Sequence, residues 1–411
     1  MRSLSIDHTL EKAGRGNAFF FRYFLLFAVL IFCTFQFNID KIYGFSIYPD
    51  EFGYWASAAQ MLGYDWSDTA ALGYYYSFGY GVILAPILSI FHDSVTAYRA
   101  AVAVNALLQC GAVWMLWEIY RRLYRIEDLR ERKMQAVLAV GTAAFYPPCS
   151  FYVQMTMVET LLTFLYLFIC YQMVLFIEKK NMRSAVLLAL ALVYLYFVHM
   201  RTVGVVIAAV TVLLLYGWKN ACARRSLIVA AVVLTAGMFC GLWIKENVMN
   251  TVYAVTDAKQ LAVNDYAGQI SNLKSMLTFK GISRLFFSGT GKFYYLVMAS
   301  FGLLCPAVFI CLRKTLQVWR RLFLRTEDSA EGEGYGCFYL FCLLSLLGQC
   351  MVTAIAAMNP GRLDGIFYGR YNEYLLPVLI GIGLMAVCDA RRKSCVFFAS
   401  IEKNIAISSL D

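Results

Sequence analysis

Ten apolar runs, each near the length a helix needs to cross a bilayer, set what this chain can fold into. They lie at 19–37, 95–119, 134–150, 158–177, 184–198, 202–217, 226–244, 293–312, 337–357 and 373–389. Hydrocarbon offers no partner to a backbone amide or carbonyl, so each run is expected to be helical whatever its β-branched content. Composition agrees, with 61% apolar or aromatic residues and 15% charged, where a soluble domain carries about 25% charged. That excludes a soluble enzyme, a disordered chain and a secreted disulfide framework. The 13 cysteines sit mostly inside the apolar runs and form no CxxC, so they read as small hydrophobic residues. His8, His92 and His199 are too scattered for a metal cage. The expected fold class is all-α, a single polytopic integral membrane domain over 1–411 with about ten transmembrane helices.

Charge sets the sidedness. Arg121, Arg122, Arg125, Arg130, Arg132 and Lys133 crowd one connection, and Lys179, Lys180 and Arg183 the next alternate one. Lys219, Arg224 and Arg225 follow, then Arg313, Lys314, Arg320, Arg321 and Arg325, and finally Arg391, Arg392 and Lys393. On a ten-span count all five clusters share one side, which the positive-inside rule makes cytoplasmic. The net charge of +10 is therefore read as loop retention, with membrane lipids and no nucleic acid as partners. Both termini are expected inside, and the short cytoplasmic loops point to a bacterial plasma membrane. The first run lacks a small-residue cleavage site and is read as a retained helix rather than a signal peptide.

Two long segments then face outward. The first, 38–94, is acidic and aromatic and is expected to hold juxtamembrane helices, with a re-entrant piece near 78–91 as an alternative. The second, 245–292, carries Lys259, Lys274, Lys280, Arg284 and Lys292 and reads as one or two amphipathic interfacial helices. Residues 390–411 form a cytoplasmic tail.

Four constellations on the outward side carry chemistry. Asp50 and Glu51 follow Pro49 and open a helix, where the helix dipole favours carboxylates. They are either a capping pair or a general base with its neighbour, since a positioned carboxylate can take the proton of an acceptor hydroxyl. Glu159 stands where an outer turn enters the fourth run, and an ionisable group there faces a cavity or a partner unless it snorkels. His199-Met200-Arg201 interrupts a long apolar stretch. An outward arginine at that depth is an interfacial anchor or a grip on a lipid phosphate. Arg362, Arg370 and Tyr371 lie in Pro360–Tyr374 at the start of the last run. Helix-end amides and guanidinium groups there make a phosphate seat, or else the arginines pair with Asp364 or Glu373.

Taken together, acidic groups in the first outer loop and cations in later outer turns suit transfer of a sugar from a lipid phosphate. The base activates the acceptor and the cations stabilise charge on the departing phosphate. Pro49-Asp50-Glu51, Tyr54 and Gly63-Tyr64-Asp65-Trp66 resemble the first outer loop of GT-C glycosyltransferases, in the branch of protein O-mannosyltransferases and bacterial aminoarabinose transferases. Gly369-Arg370-Tyr371 before Pro377 is similar to a late stretch in that family. The resemblance implies a polyprenyl-phosphate sugar donor, a glycan, lipid or protein acceptor, Asp50 as base and Glu159 as the second acidic group. Tyr54, Tyr74, His199, Arg201, Arg362, Arg370 and Tyr371 are the expected substrate-binding residues. Metal use stays open, since Asp50, Glu51 and Glu159 could hold a divalent cation while the named relatives do not need one for transfer. Where the aminoarabinose branch has a Lys-Pro pair, this chain has Gly73-Tyr74-Tyr75-Tyr76-Ser77. Two readings of other classes compete. A transporter or flippase would favour charge at mid-depth and broken helices in repeated halves, and a non-catalytic membrane scaffold would show no lipid-tail groove.

Overall fold

The computed structural model describes residues 2–46, 50–71, 73–124, 126, 130–259, 261, 274, 278–324, 335–356 and 363–408. Among them there is no strand. Seven helices are long and apolar enough to cross a membrane, and up to nine if two bent pairs each count as one span. The chain is a polytopic all-α membrane protein.

Helix α1 (Arg2–Gln36) runs along α5 (Ser94–Leu123), and the chain between them forms three short helices, α2 (Asp50–Met61), α3 (Ser67–Ala70) and α4 (Gly81–Ile90). At 1.5 Å per residue α4 is about 15 Å long, half the hydrocarbon thickness. It packs across α2 and α5 rather than spanning. Then come α6 (Arg130–Ala144) and α7 (Pro147–Val153), bent by 52° where Pro147 and Pro148 start a new helix. Next are α8 (Glu159–Lys179), α9 (Met182–Val198), α10 (Val203–Lys219) and α11 (Ala221–Thr251). The expected span at 184–198 is the 17-residue α9, capped by Asn181, whose side chain accepts from the Ser184 amide.

The run expected as one span over 293–312 is broken within its length. It divides into α12 (Phe279–Ala299) and α13 (Leu304–Leu324), bent by 111°. Phe301 at φ 53° and Gly302 at φ 78° stand in the left-handed region, which no helix can pass through. Apolarity is continuous across the break, so hydropathy does not register it. Helix α14 (Gly336–Ala356) and α15 (Leu376–Ser408) complete the bundle, α15 continuing through the segment expected as a separate tail.

Helix α8 is the central post, with 78% of its apolar window buried, whereas α1 at 17% and α11 at 11% lie on the periphery. Polar groups inside the bundle are spent on backbone carbonyls. Tyr120 donates its hydroxyl to Pro377 O and Val378 O at 3.0 Å each, and Gln109 Nε2 donates to Ala144 O at 3.0 Å. Such pairing is what low-dielectric surroundings require. Helices α10 and α14 touch backbone to backbone at Gly204 and Gly348, where a Cβ on Gly204 would lie 2.6 Å from Gly348 C. No flexible side chain can yield there. Gly204→Ala is expected to part the two helices and lower the melting temperature, measured by intrinsic fluorescence in detergent, whereas alanine at Gly289, which faces open space, should leave it unchanged.

The two ends of the bundle differ in charge. The basic clusters gather at one end, where Glu118 pairs with Arg121 and Arg122 at 2.9 and 2.8 Å, and Arg132 with Asp389 at 3.1 Å. The starts of α2, α8 and α15 and the ends of α9 and α14 meet at the opposite end.

Candidate functional site

Three segments remote in sequence converge at that opposite end: the start of α2, the start of α8 and the 3₁₀ turn Arg370–Leu375 that leads into α15. Arg370 joins them. Its Nη1 donates to Asp50 Oδ2 at 2.9 Å across 320 residues, and its Nε donates to Glu159 Oε1. Tyr368 Oη lies 3.4 Å from Nη1, and Met157 Sδ 3.9 Å from Nη2. A planar fork with donors along two edges suits two carboxylates at once, which a lysine ammonium does not. The side chains of Arg370 and Glu159 are 8% and 7% exposed and that of Asp50 is 22%, so the cluster opens on the Asp50 side.

Asp50 Oδ1 accepts from the Tyr76 hydroxyl at 2.8 Å. Burial, and next the Asp50 charge, push the Tyr76 phenol well above its ordinary value, so it remains a donor. A carboxylate oxygen has two lone pairs. Asp50 therefore keeps acceptor capacity on both oxygens after binding Arg370 and Tyr76. Glu159 Oε2 is buried without a hydrogen-bond partner among the described residues.

Aromatic rings form the walls. Arg370 lies 5.7 Å from the centroids of both Tyr152 and Tyr371, and Arg201 lies 4.3 Å from Tyr371 on the same ring system. His199 is 5.2 Å from Tyr371 between centroids, and Tyr368 is 5.4 Å from it. His199 Nδ1 accepts from the Arg201 amide at 3.3 Å. Burial first, then Arg201 and Arg370, hold the imidazole well below its usual range, so that nitrogen is a neutral acceptor. Asp50, Glu159, His199, Arg201, Arg370 and Tyr371, expected together from sequence, thus occupy one neighbourhood.

Glu51 does not share it. Its side chain is fully buried, and its oxygens accept from the Ser46 amide at 2.7 Å, the Thr156 amide at 2.8 Å and the Tyr98 hydroxyl at 2.9 Å. Trp55 Nε1 adds a bond to Thr156 Oγ1 at 3.0 Å. The expectation that Glu51 positions an acceptor is corrected here: its carboxylate is consumed in bolting α2 to α5 and to the turn before α8. The proposed cation set of Asp50, Glu51 and Glu159 falls with it, because Glu51 is turned away and Arg370 fills the space between the other two. Among the described residues no group of three His, Cys, Asp or Glu side chains is arranged to hold a metal ion.

Tyr54 is buried in the wall behind Asp50, its ring 5.3 Å from Tyr76 and 5.8 Å from Tyr80. Tyr74 is exposed, and it is the Tyr76 hydroxyl that reaches Asp50. Arg362, Pro49 and Tyr48 lie outside the described residues. Tyr76, Tyr152 and Met157 join the site without a signal in the sequence, and Glu373 accepts from the Tyr295 hydroxyl instead of pairing with an arginine on the surface. Consecutive tyrosines at 74–76 carry no local signal that separates them.

No family model matches this sequence, and no curated protein matches it. Among solved structures the chain is similar to the crystal structure of ArnT from Cupriavidus metallidurans bound to undecaprenyl phosphate, with 12% identity and a TM-score of 0.47. The match covers 88% of this chain and 59% of that one, so this chain spans about three fifths of the neighbour's length. A likeness of that size assigns no family.

Proposed function

We propose that the chain is a membrane glycosyltransferase of GT-C type, moving a sugar from a polyprenyl-phosphate donor to an acceptor hydroxyl at the membrane face opposite its basic end. One observation carries this reading. A partly exposed carboxylate, Asp50, sits in a buried ring of guanidinium and phenol groups at the mouth of a helical bundle, where a lipid-anchored head can reach it while its tail stays in hydrocarbon. That is the outward side on the charge reading.

The chemistry is a single displacement. Asp50 takes the proton from the acceptor hydroxyl as its oxygen forms a bond to the anomeric carbon. The anomeric C–O bond to phosphate breaks with its electron pair, leaving polyprenyl phosphate and inverting the carbon. Arg201 stacked on Tyr371, with the Arg370 guanidinium beside Asp50, meets the developing phosphate charge. Glu159 holds Arg370 in register, and His199, neutral, orients the turn that carries Arg201.

The test uses purified full-length protein in lipid nanodiscs, given a radiolabelled polyprenyl-phosphate hexose and a mixture of glycan and glycolipid acceptors. Release of polyprenyl phosphate without any ion gradient is expected. Asp50→Asn should cut it by about 10²–10⁴-fold, the range for a general base, with an unchanged melting temperature because Asn still accepts from Arg370. Full transfer by a folded Asp50→Asn protein would remove Asp50 from the role. Donor consumption only under a gradient would favour a transporter.

A further inference from the structure

Lys292 lies on α12 and is 1% exposed. A buried ammonium is costly in such surroundings and marks a structural or functional task. Its Nζ donates to Gly365 O at 2.7 Å and to Tyr368 O at 3.4 Å, both on the strand of chain that delivers Arg370. The same face of α12 makes two further fits to that chain. A Cβ at Gly291 would stand 2.6 Å from Ile366 Cγ2, and a Cβ at Gly369 would stand 1.9 Å from the Tyr295 ring. Tyr295 then donates its hydroxyl to Glu373. Residues 365–373 are thus laid along α12 from Gly291 to Tyr295.

Much of the remaining surface of α12 is exposed and apolar, with Phe279, Ile282, Phe286, Phe287, Tyr294 and Met298. Beyond its end, Phe301 and Gly302 uncouple it from α13. The helix is therefore joined to the bundle largely through the Arg370 chain and α14.

We propose that Lys292 is a positioning residue: it fastens the Gly365–Tyr368 chain to α12 so that Arg370 arrives between Asp50 and Glu159. Its part in the transfer reaction rests on the function proposed above, whereas its part in placing the chain does not. Losing the ammonium frees two carbonyls and loosens 365–373, and Arg370 then samples positions away from the carboxylates.

The experiment is hydrogen–deuterium exchange on the full-length protein in nanodiscs, comparing wild type, Lys292→Met and Lys292→Arg. Lys292→Met is expected to speed exchange at 365–373 by ten-fold or more and to leave α5 and α8 as protected as before. Lys292→Arg, which keeps a charged donor, should recover most of the protection. In the transfer assay Lys292→Met should lower kcat more than it raises KM. Wild-type exchange at 365–373 in Lys292→Met, or a rise spread evenly over the bundle, overturns the proposal. If wild-type protein transfers no sugar, the function fails while a confined exchange rise still upholds the placement. Should Lys292→Met not accumulate, Tyr295→Phe, lacking one hydroxyl on the same face, must show the confined rise; unchanged exchange there also overturns it.

Discussion

Arg370→Met should be the most damaging single change in this protein, to folding and to chemistry together. The guanidinium is the only group that touches both Asp50 and Glu159 among the bonds described, and its removal leaves two carboxylates facing one another in a buried pocket. Breaking a buried ion pair from one side costs about 3–5 kcal/mol, because the remaining charge loses its partner without regaining water. Here the loss is doubled in kind, though Asp50, being partly exposed, is screened. Arg370→Lys should recover only part of the loss, since a single ammonium cannot bridge two carboxylates held by different edges of a fork. A double variant, Arg370→Met with Glu159→Gln, should melt at a higher temperature than Arg370→Met alone, because the stranded charge is gone. Thermal unfolding of the four proteins checks this. If Arg370→Met melts with the wild type, the network does not hold the site together. Activity should fall in all three variants by about 10² or more, the scale of losing one transition-state donor.

The network was legible from sequence only in outline. Glu159 and Arg370 stand at the ends of apolar runs and Asp50 in the loop after the first run, all on the side away from the basic clusters, and that geography brings them to one end of a bundle. What geography does not settle is direction. Asp50 and Glu51 are neighbours at a helix start and so point about 100° apart. Only the tertiary partners, Arg370 for one and the Ser46 and Thr156 amides for the other, tell the two carboxylates apart. Tyr74 and Tyr76 are a similar case, as both sit in an irregular aromatic segment and Asp50 selects the second. The fold divides in the same way. Helices such as α8 follow from the need to bond every amide in hydrocarbon, whereas the break between α12 and α13 depends on two residues in left-handed backbone within an unbroken apolar stretch.

Glu51 gives the sharpest separation between chemistry and architecture, because the two roles demand opposite patterns. A residue that positions an acceptor would lose turnover on Glu51→Gln while the protein melted as before. A bolt must lose both. Each bond to its carboxylate is charge-assisted and worth about 1.5–3 kcal/mol. Removing the side chain also takes that acceptor from the buried Thr156 amide and the half-buried Ser46 amide. Glu51→Ala is therefore expected to destabilise the protein by roughly 3 kcal/mol or more, and to free the turn that carries Glu159. Glu51→Gln should fall between, since its amide has one acceptor oxygen for the two N–H groups that Oε1 and Oε2 now serve. The discriminating comparison is with Asp50→Asn, three covalent bonds of backbone away: there turnover should collapse at constant melting temperature, while across the Glu51 series turnover and melting temperature should decline in step. Wild-type melting with lost turnover in Glu51→Gln would return Glu51 to the reacting groups and leave the turn before α8 to be held by the Trp55–Thr156 bond and by Asn105, whose Nδ2 donates to Met155 O at 2.7 Å.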